Sequence, residues 1–282
     1  MAAIITDQFR IINANNFMDD VTSGNNSYYA FLGLANPTYA GFGRTDTWNS
    51  TTVQPPSPVD NIEYTNHTYD TMLFGRKVFP GDVRRLINKI NWTKGTSYDM
   101  YRHDYSPSKT AASGATKLYD SDFYVVNSQY QVYKCIYNGT SPSDPNGKPS
   151  TVEPTGTSTS IITTGDGYRW KYMYTIPVAS VLKFFSNDYM PVFTNAAVQT
   201  NAVAGEIDTV VINAAGSGYN NGTYDNVSIN GDGTGGRVSI VVDGGKIISA
   251  TVTSGGTGYT FGKISVDSIP GIGTGSGGQV DV

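Results

Sequence analysis

The chain has 282 residues and a formal net charge of −4, with 15% charged residues and 32 glycines. A nucleic-acid-binding surface needs clustered Lys and Arg, so this composition argues against one. The single cysteine, Cys135, and only two histidines argue against a disulfide framework and a Cys- or His-rich metal site, so we predict no metal and no cofactor.

Three helices are predicted along the chain, each from apolar residues at helical spacing. The first starts at Thr6. The second is PGDVRRLINKIN, with Asp82 as its N-cap, and the third is IPVASVLKFFSND, which opens on Pro177. No apolar run approaches the ~18 residues that a membrane span needs, and the N-terminus lacks the basic region of a signal peptide.

Most of the remaining regular structure is predicted to be β-strands. They are SYYAFLGLA, YDTMLFGRKV, FYVVNSQYQVYKCIY and YRWKYMYTI, and NSQY has the composition of a hairpin turn. We therefore predict an α+β fold that is mainly β. Cys135 lies inside one of these strands, which favours a small core residue over a nucleophile.

A long loop, residues 138–165, is rich in Pro, Ser, Thr and Gly, and loops of this length are usually functional, disordered or held by a partner. It ends in Gly165, Asp166 and Gly167, where a tight turn is the main interpretation. Every second position of the next strand is then aromatic: Tyr168, Trp170, Tyr172 and Tyr174. A core strand and an interface strand both remain possible for this ladder of rings.

Composition divides the chain into two regions. Residues 1–204 contain most of the aromatic residues, with a β-rich part at about 96–176, whereas residues 205–282 hold 19 glycines and only three basic residues. The second region repeats itself, because VINAAGSGY and INGDGTGG recur as TVTSGGTGY and IPGIGTG after 40 residues. Such regularity predicts stacked β units. Because the pattern stops at Val282 within a strand, we expect the natural chain to continue.

Motifs for catalysis are not found. The chain has no HExxH, no Gly-x-Ser-x-Gly and no phosphate-binding loop, so no catalytic residue is predicted. An enzymatic alternative, a glycan hydrolase that uses Asp166, is the weakest of three functional hypotheses.

Residues typical of protein interfaces occur in two stretches, since Tyr, Trp and Arg dominate contact hot spots. The first stretch, AGFGRTDTWNSTTVQPPSPVDN, combines aromatic residues and an arginine with extended prolines that lose little entropy on binding. The second is the ring ladder. The candidate interface residues are Phe42, Arg44, Trp48, Pro55, Pro56, Tyr168, Trp170 and Tyr172.

Several of these stretches, in this order, resemble the baseplate wedge proteins of T4-like contractile-tailed phages, the gene eight product family. They are IITDQFR, FGRTDTW followed by PPSPVDN, INWTKGTSYDMY, VYKCIYN and above all GDGYRWKYMYTIP. The resemblance covers most of residues 1 to about 190 and departs after Met190, where the glycine repeats follow.

The resemblance implies a late, non-enzymatic structural protein of the virion tail baseplate, made in the host cytoplasm. Such a protein is homodimeric within each wedge and contacts other wedge proteins, and its fold mixes β-sandwich and α/β layers. A carbohydrate- or receptor-binding module of a phage tail is the alternative, with Tyr219 and Tyr259 as platforms on which sugar rings stack.

Overall fold

The computed structural model describes residues 6–33 and 72–282. The chain divides into two compact units, Met1–Arg85 and Leu86–Val282. Strands predominate over helices in the described residues, so the predicted α+β, mainly β fold class is confirmed. The boundary predicted between residues 204 and 205 lies inside the second unit and stays a prediction.

The first unit contains the helix that was predicted from Thr6. Helix α1 spans Asp7–Ser23; the Thr6 side chain accepts a hydrogen bond from the Phe9 amide, and Gly24 ends the helix in the left-handed conformation. Strands β1 (Tyr29–Gly33) and β2 (Met72–Lys77) pair antiparallel, and a short 3-10 helix covers Pro80–Asp82.

The predicted helix at PGDVRRLINKIN is wrong. After the 3-10 turn the chain becomes extended at Val83, and Leu86–Asn88 forms strand β3, antiparallel to β8 (Tyr189–Pro191). The apolar spacing fits a helix, but pairing with a distant strand and burial of Met190 beside Ile87 override that local preference.

The second unit begins with a four-stranded antiparallel sheet, in the spatial order β4-β5-β7-β6. Its strands are β4 (Tyr124–Val126), β5 (Gln131–Tyr137), β6 (Ile162–Thr163) and β7 (Arg169–Thr175). The predicted hairpin at NSQY joins β4 to β5, where the Asn127 side-chain oxygen accepts the amides of Gln129 and Gln131. Helices α2 (Val178–Phe184) and α3 (Ala196–Thr200) follow the sheet, and α2 confirms the third predicted helix.

The glycine-rich region forms short strands around its own apolar core, which includes Val238, Ile240 and Ile272. The strands are β9 (Val211–Ser217), β10 (Gly222–Ser228), β11 (Asn230–Gly231), β12 (Thr234–Asp243), β13 (Lys246–Thr257), β14 (Gly262–Lys263) and β15 (Ser276–Asp281). Their pairing gives a three-stranded sheet, β10-β12-β13, and two-stranded sheets β15-β9 and β11-β14.

The strand register confirms the internal repeat. In one sheet Gly236 lies opposite Gly255 and Val238 opposite Val252. In the other, Gly278 lies opposite Ala215 and Val280 opposite Ile212, which are the equivalent positions of the repeat. The two halves thus use the same antiparallel pairing twice.

Each repeat places one tyrosine ring over glycines. A Cβ added at Gly275 would lie 2.3 Å from Tyr219 Cδ1, and one at Gly233 would lie 2.4 Å from Tyr259 Cγ. The Gly278 amide donates to Tyr219 Oη at 2.8 Å, and the Gly236 amide donates to Tyr259 Oη at 3.1 Å. These glycines are needed for close packing of a ring, in addition to the turns that the sequence predicted for such positions.

We expect Gly275→Ala and Gly233→Ala to destabilise the protein by similar amounts, about 1–3 kcal/mol, because a methyl group overlaps the equivalent tyrosine in each repeat. Urea unfolding measures the loss. Gly165→Ala is the matched control, since its nearest neighbour to an added Cβ is Val152 Cγ2 at 4.0 Å. Equal stability of all three variants would contradict this packing.

Candidate protein-interaction surfaces

The Gly165–Asp166–Gly167 stretch is a turn, and its carboxylate holds the preceding loop. Asp166 Oδ2 accepts the backbone amides of Thr151 at 2.7 Å and Val152 at 3.0 Å, and the Ser150 hydroxyl at 3.0 Å. Asp166 Oδ1 accepts the Thr164 hydroxyl at 2.5 Å. The side chain therefore joins the end of the loop to its middle.

The protonation state of Asp166 agrees with this structural role. Burial alone would raise the pKa of the carboxyl, but the hydrogen bonds from Thr164, Val152, Thr151 and Ser150 outweigh it and lower the pKa to about 2. A carboxylate that is ionised and surrounded by donors is a poor general acid. The geometry gives no support to a hydrolase that uses Asp166.

The long loop is held by its own chain at several points. Ser150 is fully buried, its amide donates to the Thr96 carbonyl and its hydroxyl accepts the Trp92 indole N–H at 3.0 Å. Further along, Tyr133 donates its hydroxyl proton to the Gly156 carbonyl at 2.6 Å. Of the three alternatives for such loops, disorder does not apply to this segment.

The ring ladder of β7 lies inside the protein. Tyr168 and Trp170 have no exposed surface and Tyr172 has 4%. Tyr168 stacks on Trp170 with ring centroids 5.3 Å apart, and Tyr98 meets Trp170 edge-on. For these three candidate interface residues the structure favours the core strand over the interface strand.

Cys135 lies in the same core, opposite Trp170, and is completely buried. Burial raises the pKa of its thiol well above the usual value. The thiol is therefore protonated and shielded from solvent, as the interpretation of a small core residue predicted.

The remaining candidate interface residues, Phe42, Arg44, Trp48, Pro55 and Pro56, lie outside the described residues. Their interface role stays a prediction.

Exposed apolar side chains of the first unit lie on α1 and on the strand pair β1-β2. Phe31 and Leu32 are consecutive residues of β1, so they point to opposite faces, and they are 47% and 66% exposed. Leu73 and Phe74 are likewise consecutive residues of β2, and they are 67% and 57% exposed. Among the described residues this sheet has two strands, and a pair of strands with apolar side chains exposed on both faces is at best marginally stable alone, which indicates a contact surface. The strands were predicted from the sequence, but this exposure was not.

Helix α2 of the second unit shows a smaller exposed apolar stripe. Val178 and Leu182, four residues apart on one face, are 72% and 84% exposed, whereas Val181 and Phe185 pack on the core around Met190. The apolar pattern that predicted this helix therefore belongs partly to its exposed face.

The turns at Tyr219 and Tyr259 do not present free rings. Tyr219 is 4% exposed, Tyr259 is half-buried, and glycines of the opposite strand lie against both. Tyr219 donates its hydroxyl proton to Asp267 at 2.7 Å, and Tyr259 donates to the Ile229 carbonyl at 3.1 Å. Rings held in this way do not offer the stacking platforms that the carbohydrate-binding alternative requires.

An open cleft of about 1060 Å³ lies between the four-stranded sheet and the glycine repeats. Tyr101, Lys134 and Ile136 line one side, and residues 205–209, 259–268 and 278–282 line the other. Two groups of ion pairs connect these sides. In the first group Lys171 contacts Asp208 at 3.3 Å. In the second group Arg102 contacts Asp104 at 2.7 Å and Asp281 at 3.3 Å. Lys109 contacts the same two carboxylates, at 2.7 Å and 3.1 Å.

Within residues 6–33 and 72–282, His, Cys, Asp and Glu side chains do not gather in groups of three or more that would hold a metal ion. The helices of the same ranges are too short or too polar to cross a membrane.

Comparison with known proteins shows that the chain is similar to components of phage tail baseplates. A sequence model of the family described as "Bacteriophage T4, Gp8" matches residues 137–220. The baseplate wedge protein gp8 of Enterobacteria phage T4 is 24% identical over 209 residues, which is 67% of this chain and 60% of that protein.

Both matches confirm the resemblance to the gp8 family of baseplate wedge proteins. The chain spans 60% of the length of this relative. The family match includes the long loop, β7 and α2 and continues past Met190 to residue 220, so it reaches β9 of the glycine repeats. The departure expected after Met190 therefore lies further along the chain.

We expect Asp166→Ala to destabilise the protein by about 1–3 kcal/mol at pH 7, because the hydroxyls of the buried residues Ser150 and Thr164 and two loop amides lose a charged acceptor. The folded-state pKa of Asp166 is lowered, so its contribution is present above the unfolded-state pKa near 4 and is lost as pH falls toward 2.

Urea unfolding of both proteins at several pH values measures this difference, which should shrink between about pH 5 and pH 2. Asp188→Ala, an exposed aspartate in another turn, is the control. A difference that does not depend on pH would contradict the assigned role.

Proposed function

We propose that the protein is a non-enzymatic structural subunit of a phage tail baseplate, located in the virion, that holds neighbouring wedge proteins together during assembly and host attachment. The observation that carries this proposal is the likeness to the gp8 baseplate wedge protein, over two thirds of the chain. The structure supports it because Asp166 and Cys135, the residues closest to a catalytic interpretation, serve in a loop and in the core.

The finer part of the proposal is a homodimer within each wedge, formed through the strand pair β1-β2. Interfaces of permanent complexes are more apolar than the general surface and resemble a core divided between two chains. The strand pair has this character, since four of its apolar side chains are about half exposed or more: Phe31, Leu32, Leu73 and Phe74. The stripe of Val178 and Leu182 on α2 is available for contact with another wedge protein.

The carbohydrate- or receptor-binding alternative has less support. Its proposed platforms, Tyr219 and Tyr259, are covered by glycines and tied by hydrogen bonds. We therefore place the glycine repeats with the structural role, as a rigid region attached to the four-stranded sheet.

We expect the purified chain to sediment as a dimer and Leu73→Lys to weaken dimerisation at least about tenfold, because a charge would enter an apolar contact. Leu182→Lys is the matched control: it places the same charge on a more exposed leucine of the other unit and should leave the dimer intact. Sedimentation equilibrium measures both. A monomeric chain, or a dimer lost only in Leu182→Lys, would reject this assignment.

We expect the chain to join the other wedge proteins of its phage when they are mixed, and Leu182→Lys to reduce that association, because the exposed stripe of α2 would no longer bury apolar surface. Co-sedimentation of the reconstituted wedge is the measurement. A chain that remains separate from all wedge proteins would overturn the proposed function.

A further inference from the structure

The face of the four-stranded sheet that lines the cleft carries more cations than carboxylates. Lys134 of β5 lies directly opposite Lys171 of β7, and Arg169 follows on the same face of β7. Asp208 contacts Lys171 at 3.3 Å through its carboxylate, and its backbone carbonyl accepts a hydrogen bond from Arg169 at 3.0 Å. Like charges on neighbouring strands repel each other, so one carboxylate leaves this face with excess positive charge.

Among the described residues, Lys171 has an ion pair and Arg169 donates hydrogen bonds, whereas the Lys134 ammonium has neither kind of partner. This ammonium lies 4.1 Å from the centroid of the Tyr101 ring, and the side chain is half-buried at the wall of the cleft. Burial lowers the pKa of Lys134, Asp208 partly opposes this and Lys171 adds to it. A partly desolvated ammonium of this kind gains most from an anion that enters the cleft.

The lining of the cleft restricts what that anion belongs to. Five acidic residues line the cleft, so a polyanion such as a nucleic acid is repelled along its length, whereas a ligand with a single carboxylate can place it at Lys134: Asp104, Glu206, Asp208, Asp267 and Asp281. Its volume of about 1060 Å³ is at the upper end for small-molecule sites, and it is open to solvent. A neutral glycan has no group that neutralises Lys134. An extended peptide offers both a carboxylate and backbone groups for the polar lining.

We propose that the cleft binds an extended peptide segment of a partner protein and that Lys134 pairs with a carboxylate side chain of that segment. The identification of the partner as a neighbouring baseplate protein rests on the proposed function. The half-exposed Tyr101 ring, held edge-on against Phe123, forms the apolar side of the same pocket.

The test uses the whole purified chain and, as the probe, a glutamate peptide that carries a single carboxylate, acetyl-Gly-Gly-Glu-Gly-Gly amide. Its uncharged counterpart is the glutamine peptide acetyl-Gly-Gly-Gln-Gly-Gly amide. Isothermal titration calorimetry should show binding of the glutamate peptide, at least about tenfold weaker binding of the glutamine peptide, and weakening at about 0.5 M salt. Lys134→Met should lower the affinity for the glutamate peptide at least about tenfold, because Met keeps the length of the side chain and removes its charge.

Lys94→Met is the control, because Lys94 is an exposed lysine that does not line the cleft. This variant should bind the glutamate peptide with the affinity of the unchanged protein. The melting temperature of Lys134→Met should not fall, so a lost affinity cannot be ascribed to unfolding. No binding of the glutamate peptide, equal binding by Lys134→Met, or equal or tighter binding of tetragalacturonate would overturn the proposal, the last in favour of an acidic glycan.

The two proposals fail separately. A chain that binds the glutamate peptide but does not join a wedge rejects the proposed function alone. A chain that joins the wedge but does not bind the peptide rejects the peptide site alone.

Discussion

Burial of the aromatic face of β7 determines where the rest of the second unit lies. Tyr168, Trp170 and Tyr172 bury rings of roughly 150–250 Å² each, the largest apolar contribution that single side chains make to a core. Because strand side chains alternate, fixing these rings inward also fixes Arg169 and Lys171 outward. From that outer face both side chains contact Asp208, so the position of the glycine repeats follows from the orientation of one strand.

The polar ends of the buried rings impose the second constraint. A buried hydroxyl needs a hydrogen-bond partner, and Tyr168 finds one in the Lys148 carbonyl while its oxygen accepts the Tyr98 amide at 3.2 Å. Together with the ties of Asp166 and Ser150, these bonds give a loop with few apolar anchors a defined path. The loop is therefore ordered through the same strand whose rings it covers.

Local patterns predicted some features well and others poorly, for physical reasons. The period of two along β7 and the 40-residue repeat are local or periodic, so both were predicted from the sequence. The helix predicted at Leu86–Asn88 was wrong because the strand with which this segment pairs, Tyr189–Pro191, lies about a hundred residues away in the sequence. The helical spacing of its apolar residues gave no indication of that partner. Tyr219 was interpreted as a turn ring because its contact, Gly275, becomes visible only when strands β9 and β15 pair.

The candidate interaction surfaces follow the same rule. Exposure of apolar residues such as Leu32 and Leu73 on both faces of the strand pair β1-β2 cannot be predicted from apolar alternation, which predicts that one face is buried. Lys134 carried a weak signal, a lysine among alternating apolar residues of β5, but its importance depends on Lys171, to which it is paired across strands.

A chain with only 15% charged residues has few carboxylates, and several of them serve as links between segments. Asp166 holds the loop, Asp208 holds the repeats to the sheet, and Asp104 and Asp281 share Arg102 and Lys109 at another point of the cleft. Each of these four carboxylates already has partners within its own chain, so none of the four is left to pair with Lys134. A carboxylate from another chain would complete the arrangement.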